Sequence, residues 1–340
     1  RGIRVSFKKT GQQTWKIESD VRVLASAAVA GPKEGQGLLK EDYDAIYSDL
    51  YAGQDTWERA ERKMLEDAVE LSIDKSGYTK QDMELYIAGD LINQNIVSAF
   101  SARTQQLPFF GIFGACSTSM QSVILGSMLI DGGFMDLVVA ACSSHNSTAE
   151  RQFRYPTEYG GQKPDMAGWT ATGAGSVVLG RGQMGPLVTH CTIGEVIDLG
   201  IKDPFDLGGA MAPAAADTIA THLQDTKTTP DDYDLIVTGD MRVSGFNITK
   251  ELLKKKDIVM GSNFRDCGLM IYGEEQKDFG GASGCASSAI VTYGHIFRQM
   301  LAGKLRRVLG IATGALFNAV SYQQGESIPC IAHAVTFEHT

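Results

Sequence analysis

The chain has 340 residues, 43% of them apolar and 21% charged, with six cysteines and a formal net charge of −9. That length can bury one large core or two medium ones, and the acidic balance with no concentrated basic stripe argues against nucleic-acid binding. The cysteines form no Cys-x-x-Cys pair and the longest apolar runs, such as 308–317, fall far short of a membrane span, so a soluble or at most peripheral protein of a reducing compartment is expected, without structural zinc, disulfide framework or secretory signal.

In chain order, KKTGQQ at 8–13 reads as a frayed surface segment. A helix over 56–77 leads to a strand over 83–90 that ends in Gly-Asp, then to GACSTSM at 114–120, an apolar helix closed by Gly132 and Gly133, and the strand 137–142. Gly182, Gly185 and Pro186 mark a junction. Beyond it the order recurs: a helix over 214–225, a strand over 235–240 again ending in Gly-Asp, GGASGCASS at 280–288, a helix over 289–304 and the strand 308–314. The run KELLKKK at 250–256 reads as the exposed C-terminal end of a helix, where lysines favour the dipole.

The recurrence predicts an internal duplication: an α/β fold of two pseudo-twofold halves, 1–184 carrying Cys116 and 185–340. Continuous apolar strands alternating with helices predict a largely parallel sheet covered on both faces. The first long helices of the two halves are expected to pack on each other, and the helices opening at Cys116 and near Cys285, apolar all round, to be central.

Cys116 stands among small residues at a helix N-terminus, where unpaired N–H groups and the positive dipole end favour a thiolate or a bound anion. Two readings stay open, a nucleophile or anion pocket on one side and a buried structural thiol on the other.

Duplicated α/β halves with a cysteine at the first central helix resemble the thiolase and ketoacyl synthase superfamily over nearly the whole chain. More narrowly, AGPKEG, AGDLINQN, FGACSTSMQS, SSHNSTAERQFRYPTEYGGQKP, MAPAAADT, DCGLMIY and ESIPCIAH resemble the stage V sporulation protein AD family of endospore-forming bacteria. The resemblance implies the thiolase-like α-β-α-β-α layered fold and a component of the sporulation channel complex, soluble or peripheral on the inner spore membrane of the forespore. It also implies membrane channel proteins as partners, binding of dipicolinic acid (pyridine-2,6-dicarboxylate), free or as its calcium chelate, and a twofold dimer through edge strands.

A condensing enzyme of that superfamily adds a His and an Asn or second His to its cysteine, to activate the thiol and hold the carbonyl oxygen. Here the place of the His is taken by Gly239 or Asp240, and Gly281 occupies the place of the Asn. Losing the base alone forgoes roughly 10²–10⁴-fold in rate. The expectation is therefore a binding protein without cofactor, catalytic residues or metal ligands, in which Cys116 is a vestige. The alternative is a cysteine-dependent acyltransferase or thioester hydrolase of the ketoacyl synthase type, with His145, His295 or His333 as a non-standard base.

A dicarboxylate binder needs cations and a slot for a flat ring. Arg151 and Arg154, three apart, share a face if helical, while Tyr155 and Tyr159 offer ring faces and Lys163 follows a Gly-Gly turn. These arginines could equally pair with Glu150 or Glu158. Asp90, Asn93 and Asn95 lie past a strand end, where open α/β sheets bind ligands; capping of the next helix is the other reading for Asp90. Lys33 can project into the same mouth or into solvent, and His145 can donate to the ligand or be a structural histidine.

Overall fold

The computed structural model describes residues 8–152, 167–276, 278 and 280–339. The first half runs β1 (Thr14–Lys16), β2 (Val21–Ala30), β3 (Ala45–Ile46), α1 (Trp57–Ser76), β4 (Leu85–Gly89), α2 (Ile96–Gln105), β5 (Phe109–Gly111), α3 (Thr118–Asp131), β6 (Leu137–Ser144), α4 (Asn146–Gln152), β7 (Trp169–Thr170) and β8 (Gly173–Arg181). The second runs β9 (Leu187–Ile193), α5 (Leu207–Thr226), β10 (Leu235–Thr238), α6 (Arg242–Lys254), β11 (Phe264–Asp266), α7 (Cys267–Ile271), β12 (Ala282–Ser283), α8 (Cys285–Ala289), a π-helical stretch Ile290–Ile296, α9 (Phe297–Leu301), β13 (Arg307–Ala315), α10 (Ala319–Gln323) and β14 (Cys330–Glu338).

The duplication is explicit in the strand order. One half reads β5-β4-β6-β8-β2 and the other β11-β10-β13-β14-β9, joined where β2 meets β9 at Arg22 and Leu187. In each half the first two of these pairings are parallel and the last two antiparallel, so the sheet is mixed, where a largely parallel one was expected. The antiparallel strands β8 and β14 let each half close back on its own first strand without another crossover helix.

Strand residues alternate between two buried faces. In β4, Leu85 and Ile87 join the central core with Met120, Val123, Cys285 and Ile290, whereas Tyr86 and Ala88 join an outer core with Met64, Leu65, Ala68 and Val69 of α1. A third core packs α5, through Met211, Ala215 and Ile219, on Ile236, Leu309 and Ala332. The layers are thus α1 and α2, a sheet, α3 with the α8–α9 rod, a sheet, and α5 and α6. The central helices are those expected, but α1 and α5 do not pack on each other; each covers the outer face of its own sheet. Their apolar stripes are one-sided, and only the all-round apolar α3 and α8–α9 can be buried between two sheets.

Local signals act as their chemistry dictates. Thr56 caps α1 by accepting from Arg59 N, and Gly77 ends it in the left-handed conformation at φ 76°. The segment expected to fray is held from residue 8 onward: Lys8 pairs with Asp131 at 2.7 Å, and Asp225 accepts from the backbone N–H of Gln12 and Gln13 at 2.8 and 2.9 Å.

Candidate functional site

The turn before α3 is strained and tightly seated. Ala115 has φ 49°, rare for a residue with a Cβ, and Ser117 and Thr118 fold their hydroxyls back onto the carbonyls of Gly114 and Ala115 at 2.6 and 2.7 Å. Two strand-end glycines let this turn settle on the sheet. A Cβ on Gly89 would lie 2.1 Å from the carbonyl oxygen of Ile112, and one on Gly314 2.2 Å from that of Gly114. Cys116 is left partly exposed, whereas the other five cysteines are buried, and none forms a disulfide.

The Cys116 side chain hydrogen-bonds to the carboxyl of Asp240, which also accepts from Gly284 N at 2.9 Å and Thr313 Oγ1 at 3.0 Å. Asp240 is buried, and burial pushes its pKa above the usual carboxylate range. Beside the sulfur is a cavity of about 20 Å³, walled by Leu91, Thr170, Arg242, Ser283 and Ala315 among others. That is room for about one water molecule. Among the described residues lining it there is no His, Asn or Gln. Asp240, of the two positions weighed from sequence, holds the place opposite the thiol. For the Asn position the expectation is corrected: Gly281 faces a different cavity, of about 170 Å³, and it is Ser283 and Gly284 of this turn that line the space beside the sulfur.

Outside Leu91, which lines both spaces, a wider cleft of about 790 Å³ opens. Its walls are Asn93 and Asn95 from the turn after β4, Phe113 before the cysteine, and Phe317 and Asn318 past β13. Asn95 Nδ2 donates to Ile112 O at 2.9 Å, while its Oδ1 is buried with no donor among the described residues. Asn318 Oδ1 caps α10 by accepting from Ser321 N at 2.9 Å. Phe317 and Asn318 were not singled out from sequence, although a signal existed: they lie just past the end of β13, where open α/β sheets bind ligands.

Four other expected residues stand elsewhere. Asp90 is fully buried and accepts from Ile92 N, Ser98 N and Ser98 Oγ at 3.1, 2.8 and 2.7 Å, so it caps α2 and does not face the mouth. Next to it, Glu61 is buried and accepts from Ser143 and Thr148 hydroxyls; burial pushes both acids up, and for Glu61 the neighbouring Asp90 carboxyl adds to the rise. His145 is fully buried, its Nε2–H donating to Leu50 O at 2.8 Å and its Nδ1 accepting from Ser147 N at 3.1 Å. Burial lowers its pKa, and with both nitrogens engaged it is a structural histidine, away from Cys116. Arg151 pairs with Glu58 over the Trp57 ring. Lys33 pairs with Asp278 and lies 3.9 Å over the centre of the Trp169 ring. Arg154, Tyr155, Tyr159 and Lys163 lie outside the described residues. His295 bonds Asp42 and buried His333 accepts from Gly194 N, so neither imidazole reaches the cysteine.

Comparison with known proteins places this geometry. The family model for stage V sporulation protein AD matches residues 11–338. The chain belongs to that family. Stage V sporulation protein AD of Bacillus subtilis (strain 168) is 52% identical over 332 residues, covering 98% of each chain. The solved structures it resembles include 3-oxoacyl-[acyl-carrier-protein] synthase III from Aquifex aeolicus VF5, at 14% identity and a TM-score of 0.61 over 94% of this chain and 99% of that one. Human mitochondrial 3-ketoacyl-CoA thiolase in complex with CoA matches at 12% identity and a TM-score of 0.61 over 96% and 99%. At such identities these likenesses establish the thiolase-like fold, which the resemblance read from sequence had implied. The family membership makes this a sporulation protein. No helix among the described residues is long and apolar enough to cross a membrane.

Proposed function

We propose that this sporulation protein is a binding protein rather than a condensing enzyme, and that its ligand is dipicolinate, free or as the calcium chelate, held in the cleft outside Cys116. The observation that carries this reading is the partner of the thiol. A buried carboxyl group, itself held by Gly284 N and Thr313, stands opposite Cys116, and the space beside the sulfur admits about one water, not an acyl chain. The cleft beyond it suits a flat aromatic acid: Phe113 and Phe317 offer apolar walls, and the Asn93 and Asn318 amides can donate to carboxylate oxygens. The buried Asn95 Oδ1 supplies an acceptor for an acid proton or for water on chelated calcium. In this reading the protein serves uptake into the forespore beside the membrane channel proteins of its complex. A second copy is expected across the free edge of β5, where Phe110 and Phe113 are about half exposed.

Calorimetry with dipicolinate, with and without calcium, tests the assignment. Wild-type protein is expected to give saturable heat, and Asn93→Asp, which adds a negative charge to an exposed position in the cleft, to weaken binding of the free dianion by about tenfold or more. No heat at millimolar ligand, or undiminished binding of the dianion by the variant, rejects the cleft. One observation favours a second reading, acyl transfer or thioester hydrolysis: Cys116 remains partly exposed on a strained turn at the start of a helix. An acyl adduct on Cys116 after incubation with acyl-CoA, found by mass spectrometry and followed by turnover that Cys116→Ser abolishes, would establish it.

A further inference from the structure

A second concave site lies away from the cysteine, between α1 and α2, with a volume of about 510 Å³. Arg59 and Arg62, three apart on α1, present their side chains on one face. From α2, Ile96, Phe100 and Arg103 follow one another at helical spacing and supply an apolar floor and a third guanidinium. On a chain of net charge −9 the groove is lined by three arginines and one carboxylate, Glu58, which is held by Arg151, while Asp55 and Glu66 stand behind Arg59 and Arg62.

Among the described residues these guanidiniums have few or weak partners. Among the described residues Arg59 pairs with Asp55, whose side chain is 85% exposed, so water or a ligand can replace that pair at little cost. Arg62 Nε forms a loose ion pair with Glu66 at 3.4 Å, and this buried Nε has no hydrogen-bond acceptor among the described residues. Arg103 makes no ion pair among the described residues and lies 4.4 Å over the Phe100 ring. Three planar donor forks around a hollow match a ligand with several oxyanion groups, because each fork can take two oxygens.

We infer that this groove binds a small soluble polyanion carrying two or more carboxylate or phosphate groups. The site is separate from the cleft: Ile96 and Val97 of the first turn of α2 line the groove, whereas Asn93 and Asn95 just before that turn line the cleft. The assignment therefore does not rest on the dipicolinate reading.

Titration calorimetry of the full chain at low ionic strength with citrate, and separately with inorganic pyrophosphate, tests it. At least one probe is expected to bind saturably in the low-millimolar range or tighter, the citrate and pyrophosphate arms telling a polycarboxylate from a phosphoanhydride. Arg103→Gln should weaken that binding by about tenfold, and the double variant Arg59→Gln/Arg103→Gln further. Both arginines are exposed, so these variants keep the fold, which the thermal melting curve checks. Failure of both probes to saturate, or equal affinity in wild type and the double variant, overturns the assignment.

Discussion

His222 offers a stringent test of how the second half is held together. It sits on the buried face of α5, with Nδ1 2.7 Å from Thr192 Oγ1 and Nε2 2.9 Å from Tyr233 OH and 3.1 Å from Thr336 Oγ1, so it ties the helix to β9 and β14. Burial, reinforced by Arg307 and His190, pushes its pKa down to about 3. An unfolded histidine titrates near 6.5, so between these values the unfolded chain binds a proton that the folded chain refuses. Stability from this group is therefore complete above about pH 6.5 and lost as pH falls, by about 2 kcal/mol between pH 7.5 and pH 5.0. The perturbation is His222→Gln, and the readout is the stability difference between wild type and variant from urea unfolding at the two pH values. The variant should be destabilised by about 2–4 kcal/mol at pH 7.5, through lost packing and hydrogen bonds, and by about 2 kcal/mol less at pH 5.0. Taking the difference removes the other titrating groups, among them buried acids whose contribution runs the opposite way. A difference that is the same at both pH values, to within about 0.5 kcal/mol, would refute the reasoning.

Two more outcomes follow from the same coordinates. Glu61 has its pKa raised in the folded protein, so it stabilises the fold at low pH and costs stability as pH rises through the range where only the unfolded chain is ionised. Glu61→Gln, which keeps an acceptor for one hydroxyl and a donor for the other, should thus gain on wild type as pH is raised from 5 to 8 in urea titrations; a constant or shrinking gain contradicts the assignment. Gly314→Ala drives a methyl group into the carbonyl of Gly114 and should cost about 1–3 kcal/mol while shifting the turn that carries Cys116. An unchanged melting temperature together with an unchanged rate of Cys116 alkylation would show that the turn is not seated on that strand.

The layers were legible because their signals repeat. Two Gly-Asp strand ends, two small-residue turns and two all-apolar helices name the central layer without any long-range information. The packing of α1 and α5 was not legible, since a one-sided apolar stripe says that a helix is buried and not on what. The site divided along similar lines. Cys116 and the strand-end asparagines follow from position on the sheet, and the structure brings Asn93 and Asn95 to one cleft with Phe113 and Asn318. Asp90, His145, Arg151 and Lys33 were chosen for what their side chains can donate or accept, and each spends that capacity on a local partner that spacing along the chain does not reveal: the first turn of α2, Leu50 and Ser147, Glu58, and Asp278. The arginine groove escaped notice because its members come from two helices and look, one at a time, like solvated surface.

The two copies of the repeated unit treat their cysteines differently. Cys285 opens α8 as Cys116 opens the turn into α3, yet its Sγ donates to Ser143 O at 2.8 Å and the residue is fully buried. The Gly-Asp ends divide in the same way. Asp90 turns away to cap α2, while Asp240 reaches across to the sulfur of the other half. A thiol and a carboxyl thus meet at one of the two pseudo-equivalent positions, and at the other each has been absorbed into the backbone hydrogen bonds of its own neighbourhood. The open position joins a thiol of one half to a carboxyl of the other, and the closed position contributes its buried hydrogen bonds to the central layer.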